Sequence, residues 1–151
     1  MSASARLGQL SLALPKVVAP LASYVPAVRT GNLIYTAGQL PMQDGTLLGT
    51  GKVGADVSPE EGKAMARICA LNALAAVSSL VDIDDVTRVV KVVGFVASAP
   101  GFNGQPGVVN GASELLAEVF GEQGAHARSA VGVSELPLDA PVEVELIVEV
   151  G

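Results

Sequence analysis

The sequence predicts a single α+β domain in which two helices cover one face of a mixed sheet of about six strands. Half of the 151 residues are hydrophobic, which is enough to bury one core, and aromatic residues make up only 3%. That core must therefore consist of Val, Leu, Ile and Ala, which suits a sheet packed under helices. Strand patterns also lie on both sides of each helix pattern, as an α+β layer requires.

The first part of the chain predicts strands and turns. Residues 10–14 (LSLAL) and 32–40 (NLIYTAGQL) are apolar runs bounded by turn residues, and we expect a strand at each. The pair Asp44-Gly45 predicts a hairpin turn within the glycine-rich residues 42–57.

The clearest helix pattern spans residues 58–80. Ser58 fits the N-cap, Pro59 fits the first helical position, and Glu61 completes a capping box. Apolar residues then follow at steps of four, three and four and predict one buried face: Ala64, Ile68, Leu71 and Ala75.

The second half of the chain predicts one more helix among three strands. The helix runs from Val108 to Phe120, where Gly121 ends it. The strands are rich in β-branched residues and span residues 88–98, 128–135 and 142–150. Both faces of the first of these strands are apolar, although two helices can cover only one face. A second copy of the chain is the simplest cover for the other.

Charge and composition narrow the classes of partner. The net charge is −6 and no two of the nine lysines and arginines adjoin, so nucleic acid is an unfavourable partner. Cys69 and His126 are the only residues of their types, which leaves no Cys/His metal site. The N-terminal apolar run is too short for a membrane span and weak as a secretion signal, so we expect a cytoplasmic protein.

Arg128 is the strongest candidate for a functional residue, because its strand neighbours are small or apolar. Ala130, Gly132 and Ser134 point to the same side and leave a hollow beside a fixed cation. A guanidinium there can hold a carboxylate through two parallel hydrogen bonds. The alternative is an ion pair with one of the glutamates of residues 142–150. His126, with no Ser or Cys partner evident, is expected to be a solvated loop residue rather than a general base.

Three segments carry a resemblance to a known family: SYVPAVRTGNLIYTAGQLP at 23–41, the loop and helix that reach Asn110, and ARSAVGVSELP with VEVE at 127–145. They resemble the RidA/YjgF family of imine and enamine deaminases. The resemblance implies a chorismate-mutase-like α+β fold and a homotrimer with ligand clefts between subunits.

Site residues follow from the same resemblance, position by position. It implies that Arg128 binds the substrate carboxylate and that Glu143 activates the hydrolytic water. It further implies that Tyr24 lines the cleft, that the backbone of Gly38 contacts the ligand, and that Asn110 matches an asparagine of the second helix.

Three positions depart from the family pattern. Ala37 stands where many members carry a serine, Ala130 where active deaminases often carry a cysteine, and His126 where proline is usual. Together with insertions around GTGKVG at 49–54 and SAPGFNGQPG at 98–107, these departures indicate a less characterised branch of the family, whose substrate the resemblance does not identify.

The resemblance implies hydrolysis of a small imine or enamine carboxylate, of the kind performed by 2-iminobutanoate/2-iminopropanoate deaminases, with no cofactor or metal. One alternative is a non-catalytic protein that binds a carboxylate metabolite in the same cleft. Another is an endoribonuclease or translation inhibitor, which the acidic charge disfavours.

Overall fold

A computed structural model describes residues 1–20 and 22–151. The helices are α1 (Ala3–Gln9), α2 (Pro59–Ser78) and α3 (Gln105–Phe120), with 3-10 turns at Ile83–Asp85, Gly121–Gly124 and Pro137–Asp139. The strands are β1 (Ala27–Thr30), β2 (Leu33–Thr36), β3 (Met42–Gln43), β4 (Thr46–Leu47), β5 (Val86–Ala97), β6 (Ala127–Val133) and β7 (Val142–Val150).

Five strands form one mixed sheet in the order β1-β2-β7-β5-β6. The β5–β6 pair is parallel and the other neighbours are antiparallel. Strands β3 and β4 form a separate hairpin around Asp44-Gly45, at the predicted turn. Helices α2 and α3 pack on each other and on one face of the sheet. The α+β class, the mixed sheet and the helical layer on one face are therefore confirmed, with five strands rather than six in the main sheet.

The predicted strand at residues 10–14 is wrong. Helix α1 precedes this segment, with Ser2 as its N-cap, and residues 12–20 form neither helix nor strand. The leucines that suggested a strand instead pack against the core from an irregular segment: Leu10, Leu12 and Leu14. Alternating burial therefore arises here without a neighbouring strand to pair with.

The predicted strand at 32–40 is shorter than expected and has a partner that the sequence did not reveal. Strand β2 ends at Thr36, and β1 pairs with it from Ala27 to Thr30. Beyond Thr36 the chain leaves the strand conformation, although Gln39 still bridges to Val144 of β7. This departure places residues 37 and 38 at the end of β2 beside β7.

Helix α2 begins at its predicted cap, whereas α3 begins without a side-chain cap. The Ser58 hydroxyl accepts a hydrogen bond from the Glu61 amide at 3.1 Å, which confirms the predicted N-cap of α2. Ala64 is exposed rather than buried, so the expected apolar face is wrong at that position. Helix α3 begins at Gln105, three residues before the predicted start, and its C-cap is Gly121 with φ of 62°.

The sheet face opposite the helices is partly apolar and uncovered within one chain. Strand register aligns Phe95 with Val131 and Glu143 on this face, and Tyr35 with Ile147. Three large apolar side chains of this face are about half exposed: Val28, Tyr35 and Val131 at 53%, 43% and 43%. In the described ranges, no helix combines the length and the apolar character that a membrane span needs.

Candidate functional site

The sequence-predicted residues gather in two places on opposite faces of the sheet. Arg128 and Asn110 belong to the arginine cluster, which we define as Arg128, Asn110, Ser113 and His126, on the helix-covered side. The others belong to the Glu143 cleft, defined by Tyr24, Ala37, Gly38 and Glu143, on the uncovered side. Val92, the β5 partner of Arg128, is fully buried under the helices, whereas Glu143 pairs with Phe95 on the other face.

Arg128 is held by helix α3 through neutral acceptors. Its Nη1 donates to Asn110 Oδ1 at 2.8 Å and to Ser113 Oγ at 3.2 Å. Its Nη2 lies 3.4 Å from the Pro106 carbonyl oxygen. None of the ion pairs formed by residues 1–20 and 22–151 includes Arg128. The expected alternative, an ion pair with a β7 glutamate, is therefore absent from this part of the chain, and the positive charge is uncompensated.

The hollow predicted beside Arg128 is partly filled by the start of α3. A Cβ built at Gly132 would lie 2.7 Å from Gln105 Nε2. That amide donates to Ser98 Oγ at 3.1 Å and to the Phe102 carbonyl at 2.9 Å. A polar wall therefore borders the space that small residues leave on β6.

His126 is not the solvated loop residue that the sequence suggested. Its ring is half-buried, with Nδ1 2.6 Å from the Gly124 carbonyl oxygen and Nε2 2.9 Å from Ser113 Oγ. Sequence reasoning found no serine partner because Ser113 lies thirteen residues away on another element. The sequence did contain one indication that Ser113 lies near Arg128. Ser113 follows Asn110 by three positions, so a helix places both side chains on one face.

The Glu143 cleft is an open, mainly apolar hollow of about 690 Å³. Tyr24, Ala37, Gly38 and Glu143 all line it, together with apolar side chains of β1 and β2. The carboxylate of Glu143 lies directly against Gly38, where a Cβ would come within 2.1 Å of Oε1. Glycine is therefore required at residue 38 for this position of the carboxylate.

Burial raises the pKa of Glu143, and the like charge of Glu145 raises it further. Burial also raises the pKa of Glu145, which lies two residues along the same face of β7. A carboxylate with a raised pKa is a better proton acceptor than a solvated one and suits general base work near neutral pH. The raised pKa of Glu143 is compatible with the role of base that the resemblance implies, and that role stays a prediction.

The residues around Ala37 leave a gap in the polar lining of the cleft. The Thr36 hydroxyl accepts a hydrogen bond from the Leu146 amide at 3.0 Å and is buried at 8% exposure. Ala37 itself lines the cleft and carries no polar side-chain atom. Thr36 is thus committed to the sheet and does not take the place of a serine at residue 37.

Cys69 belongs to neither group of residues, although its Sγ lies 3.8 Å from the Val142 carbonyl oxygen, next to Glu143 in sequence. It is fully buried in α2, and burial raises the pKa of its thiol well above the usual range, with the charge of Glu143 raising it further. A buried thiol of this kind packs as a small apolar side chain. Among the residues that the structure describes, no three His, Cys, Asp or Glu side chains group as a metal site would need.

Comparisons with known proteins cover nearly the whole chain. The profile of the family described as Endoribonuclease L-PSP matches residues 15–150. Protein TCP17 of Trypanosoma cruzi is 46% identical over 150 residues, covering 98% of this chain and 94% of that protein. The 2-iminobutanoate/2-iminopropanoate deaminase of Escherichia coli strain K12 is 31% identical over 139 residues, covering 91% of this chain and 94% of the enzyme. The crystal structure of Atu1372 from Agrobacterium tumefaciens, a protein of unknown function, superposes with a TM-score of 0.91 at 46% identity and covers 99% of this chain and 92% of its own.

Proposed function

This chain belongs to the Endoribonuclease L-PSP family, the RidA/YjgF family that its motifs indicate, and we propose that it hydrolyses a small imine or enamine carboxylate. One observation carries the proposal: Arg128 is held rigidly by neutral oxygens, so its charge is available to an anion. A bidentate guanidinium–carboxylate contact is among the strongest and most directional polar contacts in proteins.

Hydrolysis follows from this clamp and from the raised pKa of Glu143. Arg128 binds the substrate carboxylate and fixes the adjacent imine carbon. Glu143 accepts a proton from water as the water oxygen bonds to that carbon, and the proton passes to the nitrogen. The new hydroxyl group then passes its proton to the amine nitrogen through Glu143 as the carbon–nitrogen bond breaks, which releases ammonia and leaves a 2-oxo acid. Tyr24 covers the reacting end, and no cofactor takes part.

The reaction needs two copies of the chain, since the clamp and the base lie on opposite faces of one sheet. We propose that a neighbouring copy covers the uncovered face and brings its Arg128 to the Glu143 cleft. The half-exposed apolar side chains Val28, Tyr35 and Val131 support this assembly, because isolated apolar surface of this kind is stabilised by burial against a partner. The family resemblance sets the number of copies at three.

Co-expression of two inactive variants tests both the chemistry and the assembly. Arg128→Ala removes the clamp and Glu143→Gln removes the base, so each alone is expected to be inactive toward the imine of pyruvate. Mixed trimers, purified through two different tags, should regain activity at one interface in three, because there an intact Arg128 meets an intact Glu143. Light scattering on the same sample measures the oligomer. Absence of recovery in a stable mixed trimer would place both groups in one chain's own site and contradict the shared cleft.

A non-catalytic binding protein would show different affinities and turnover in the same two variants. A binder retains pyruvate affinity in Glu143→Gln and loses it in Arg128→Ala, with no turnover in the unmodified protein. An RNA-binding protein instead shows low-micromolar RNA affinity that falls steeply with salt concentration, which the net charge of −6 disfavours.

A further inference from the structure

We propose that Ser113 and His126 are positioning residues that fix the Arg128 guanidinium and leave one of its edges free for a carboxylate. The proposal deepens the function proposed above and rests on it, because it concerns how the clamp of that site is held. The contact that carries it is the chain of hydrogen bonds from the Gly124 carbonyl through His126 and Ser113 to Arg128.

The Gly124 carbonyl selects one tautomer of the neutral His126 ring, and that tautomer gives each hydrogen bond of the chain its direction. A carbonyl oxygen only accepts, so His126 Nδ1 carries the proton and donates to Gly124. In the neutral ring, Nε2 is then an acceptor, and the Ser113 hydroxyl donates to it. With its hydrogen directed to the ring, Ser113 Oγ presents lone pairs to Arg128 Nη1.

His126 sets the orientation of the Ser113 hydroxyl. A serine within a helix otherwise tends to turn its hydroxyl toward the carbonyl four residues back along the helix. The ring nitrogen at 2.9 Å offers a stronger acceptor away from the helix axis. Bonds in such a chain also polarise one another, which strengthens the contact to the guanidinium.

The backbone at Gly124 brings the ring to this place. A Cβ built at residue 124 would lie 2.4 Å from the Leu116 carbonyl oxygen, so only glycine permits this approach to α3. The approach sets the Gly124 carbonyl beside His126 Nδ1, two residues later, and turns Nε2 toward Ser113.

These contacts occupy the Nη1 end of the Arg128 guanidinium and leave another edge for a ligand. Both Nη1 hydrogens are used, one by Asn110 and one by Ser113. The 3.4 Å contact of Nη2 with Pro106 is at the weak end of hydrogen bonding. The edge formed by Nε and Nη2 is therefore the one offered to a carboxylate, in the side-on bidentate arrangement.

Four variants test the chain of hydrogen bonds. Ser113→Ala removes the acceptor for Nη1 and keeps a good helix former, so the fold is retained. His126→Asn keeps a donor to Gly124 but lacks the acceptor for Ser113. His126→Gln places an amide oxygen near the Nε2 position, and Ser113→Thr keeps the hydroxyl. Glu114→Gln is the control, since this neighbouring residue on α3 pairs with Lys63 at the surface.

Two readouts separate positioning from general damage: the affinity for pyruvate by calorimetric titration, and KM and kcat for the imine of pyruvate. Ser113→Ala and His126→Asn are expected to weaken pyruvate binding and raise KM about tenfold, with kcat changed by less than about twofold. His126→Gln, Ser113→Thr and Glu114→Gln should stay within about threefold of the unmodified protein, since each keeps the contact to Arg128.

Several results would overturn the proposal. One is an unchanged pyruvate affinity in Ser113→Ala, and another is a fall in kcat at constant KM, which would put Ser113 in the chemical step. Absence of pyruvate binding by the unmodified protein would remove the clamp as well as its positioning. If pyruvate affinity depends on Arg128 and falls in Ser113→Ala, but the protein hydrolyses no imine, the positioning stands and the proposed hydrolysis fails.

Discussion

The arginine cluster and the Glu143 cleft hold their charged groups by opposite means. Arg128 is held by directed hydrogen bonds from α3 and has no carboxylate partner among the described residues. Glu143 is held by contact with Gly38 in an apolar cleft and feels a charge of its own sign from Glu145. The first arrangement keeps a cation ionised and oriented, while the second makes an anion unstable and therefore basic.

This difference shows how one small sheet can carry the proposed clamp and the proposed base without their neutralising each other. In contact, Arg128 and Glu143 would form an ion pair, and the pair would lower the pKa of the carboxyl and occupy the guanidinium. The sheet separates them by placing their side chains on opposite faces. The proposed assembly then lets a substrate come between the clamp of one copy and the base of another.

The largest expected effect comes from Arg128→Lys, which keeps the charge but removes the planar fork. Lysine cannot bind Asn110, Ser113 and a carboxylate in the same geometry, so we expect kcat/KM to fall by at least about 100-fold, as for the loss of one or two charge-assisted bonds. The melting temperature should change little, because the lost partners are neutral and close to solvent. Arg29→Lys on the exposed strand β1 is the matched control. A large fall in melting temperature would show that the main role of Arg128 is to stabilise the fold.

Gly38→Ala should displace the carboxylate in the Glu143 cleft and leave the arginine cluster unchanged. The added Cβ overlaps the Glu143 carboxylate, whose flexible end can move aside, so the chain still folds. We expect kcat to fall by about 10- to 100-fold because the base is displaced, and pyruvate affinity to persist. Gly8→Ala, at a helical position with free space around it, controls for the substitution itself. Equal losses of kcat and pyruvate affinity would mean that the two regions are not separable.

Glu145→Gln tests how much the like charge of Glu145 contributes to the raised pKa of Glu143 in the cleft. The proposed mechanism requires ionised Glu143, so kcat/KM should rise with pH through a pKa above that of an ordinary glutamate. Removing the like charge lowers this pKa and moves the rise to lower pH, although burial, the larger cause, still keeps it raised. A pH profile of both proteins measures the shift, and an unmoved profile would remove Glu143 as the titrating base.

The same carboxyls affect stability with a determined sign. Both bind protons more tightly in the folded chain than in the unfolded chain. The free energy of unfolding should therefore fall as pH rises from the ordinary glutamate range to the raised values, and Glu145→Gln should make that fall smaller. Urea unfolding at a series of pH values measures it.

The smallest expected effect is a gain from Ala37→Ser. The Thr36 hydroxyl is bound to Leu146, so a serine at residue 37 would add a polar contact that the cleft lacks. We expect turnover of the imine of pyruvate to rise by about 2- to 12-fold, the equivalent of about 0.5–1.5 kcal/mol for one hydrogen bond. The assay generates the imine with an amino-acid oxidase and lets semicarbazide compete for it. Fast turnover by the unmodified protein, with no change in the variant, would show that the hydroxyl is not needed.

Local patterns were sufficient for much of this protein. The cap at Ser58, the turn at Asp44-Gly45 and the β-branched strand at 142–150 each depend on neighbours in sequence, and each appears as predicted. The apolar run at 10–14 predicted a strand in the same way and forms none. A strand needs a partner edge, and the partner is a tertiary property that the pattern does not contain.

The candidate site also has a part that the sequence predicted and a part that depended on the tertiary structure. The sequence alone singled out Arg128 as a cation among small residues, and its motifs selected Glu143, Gly38 and Tyr24. Only the tertiary structure decided that Arg128 and Glu143 lie on opposite faces, because that depends on how β5, β6 and β7 pair. It also decided that His126 reaches Ser113, since a hydrogen bond between residues on two separate elements depends on how those elements pack and not on their order in the chain.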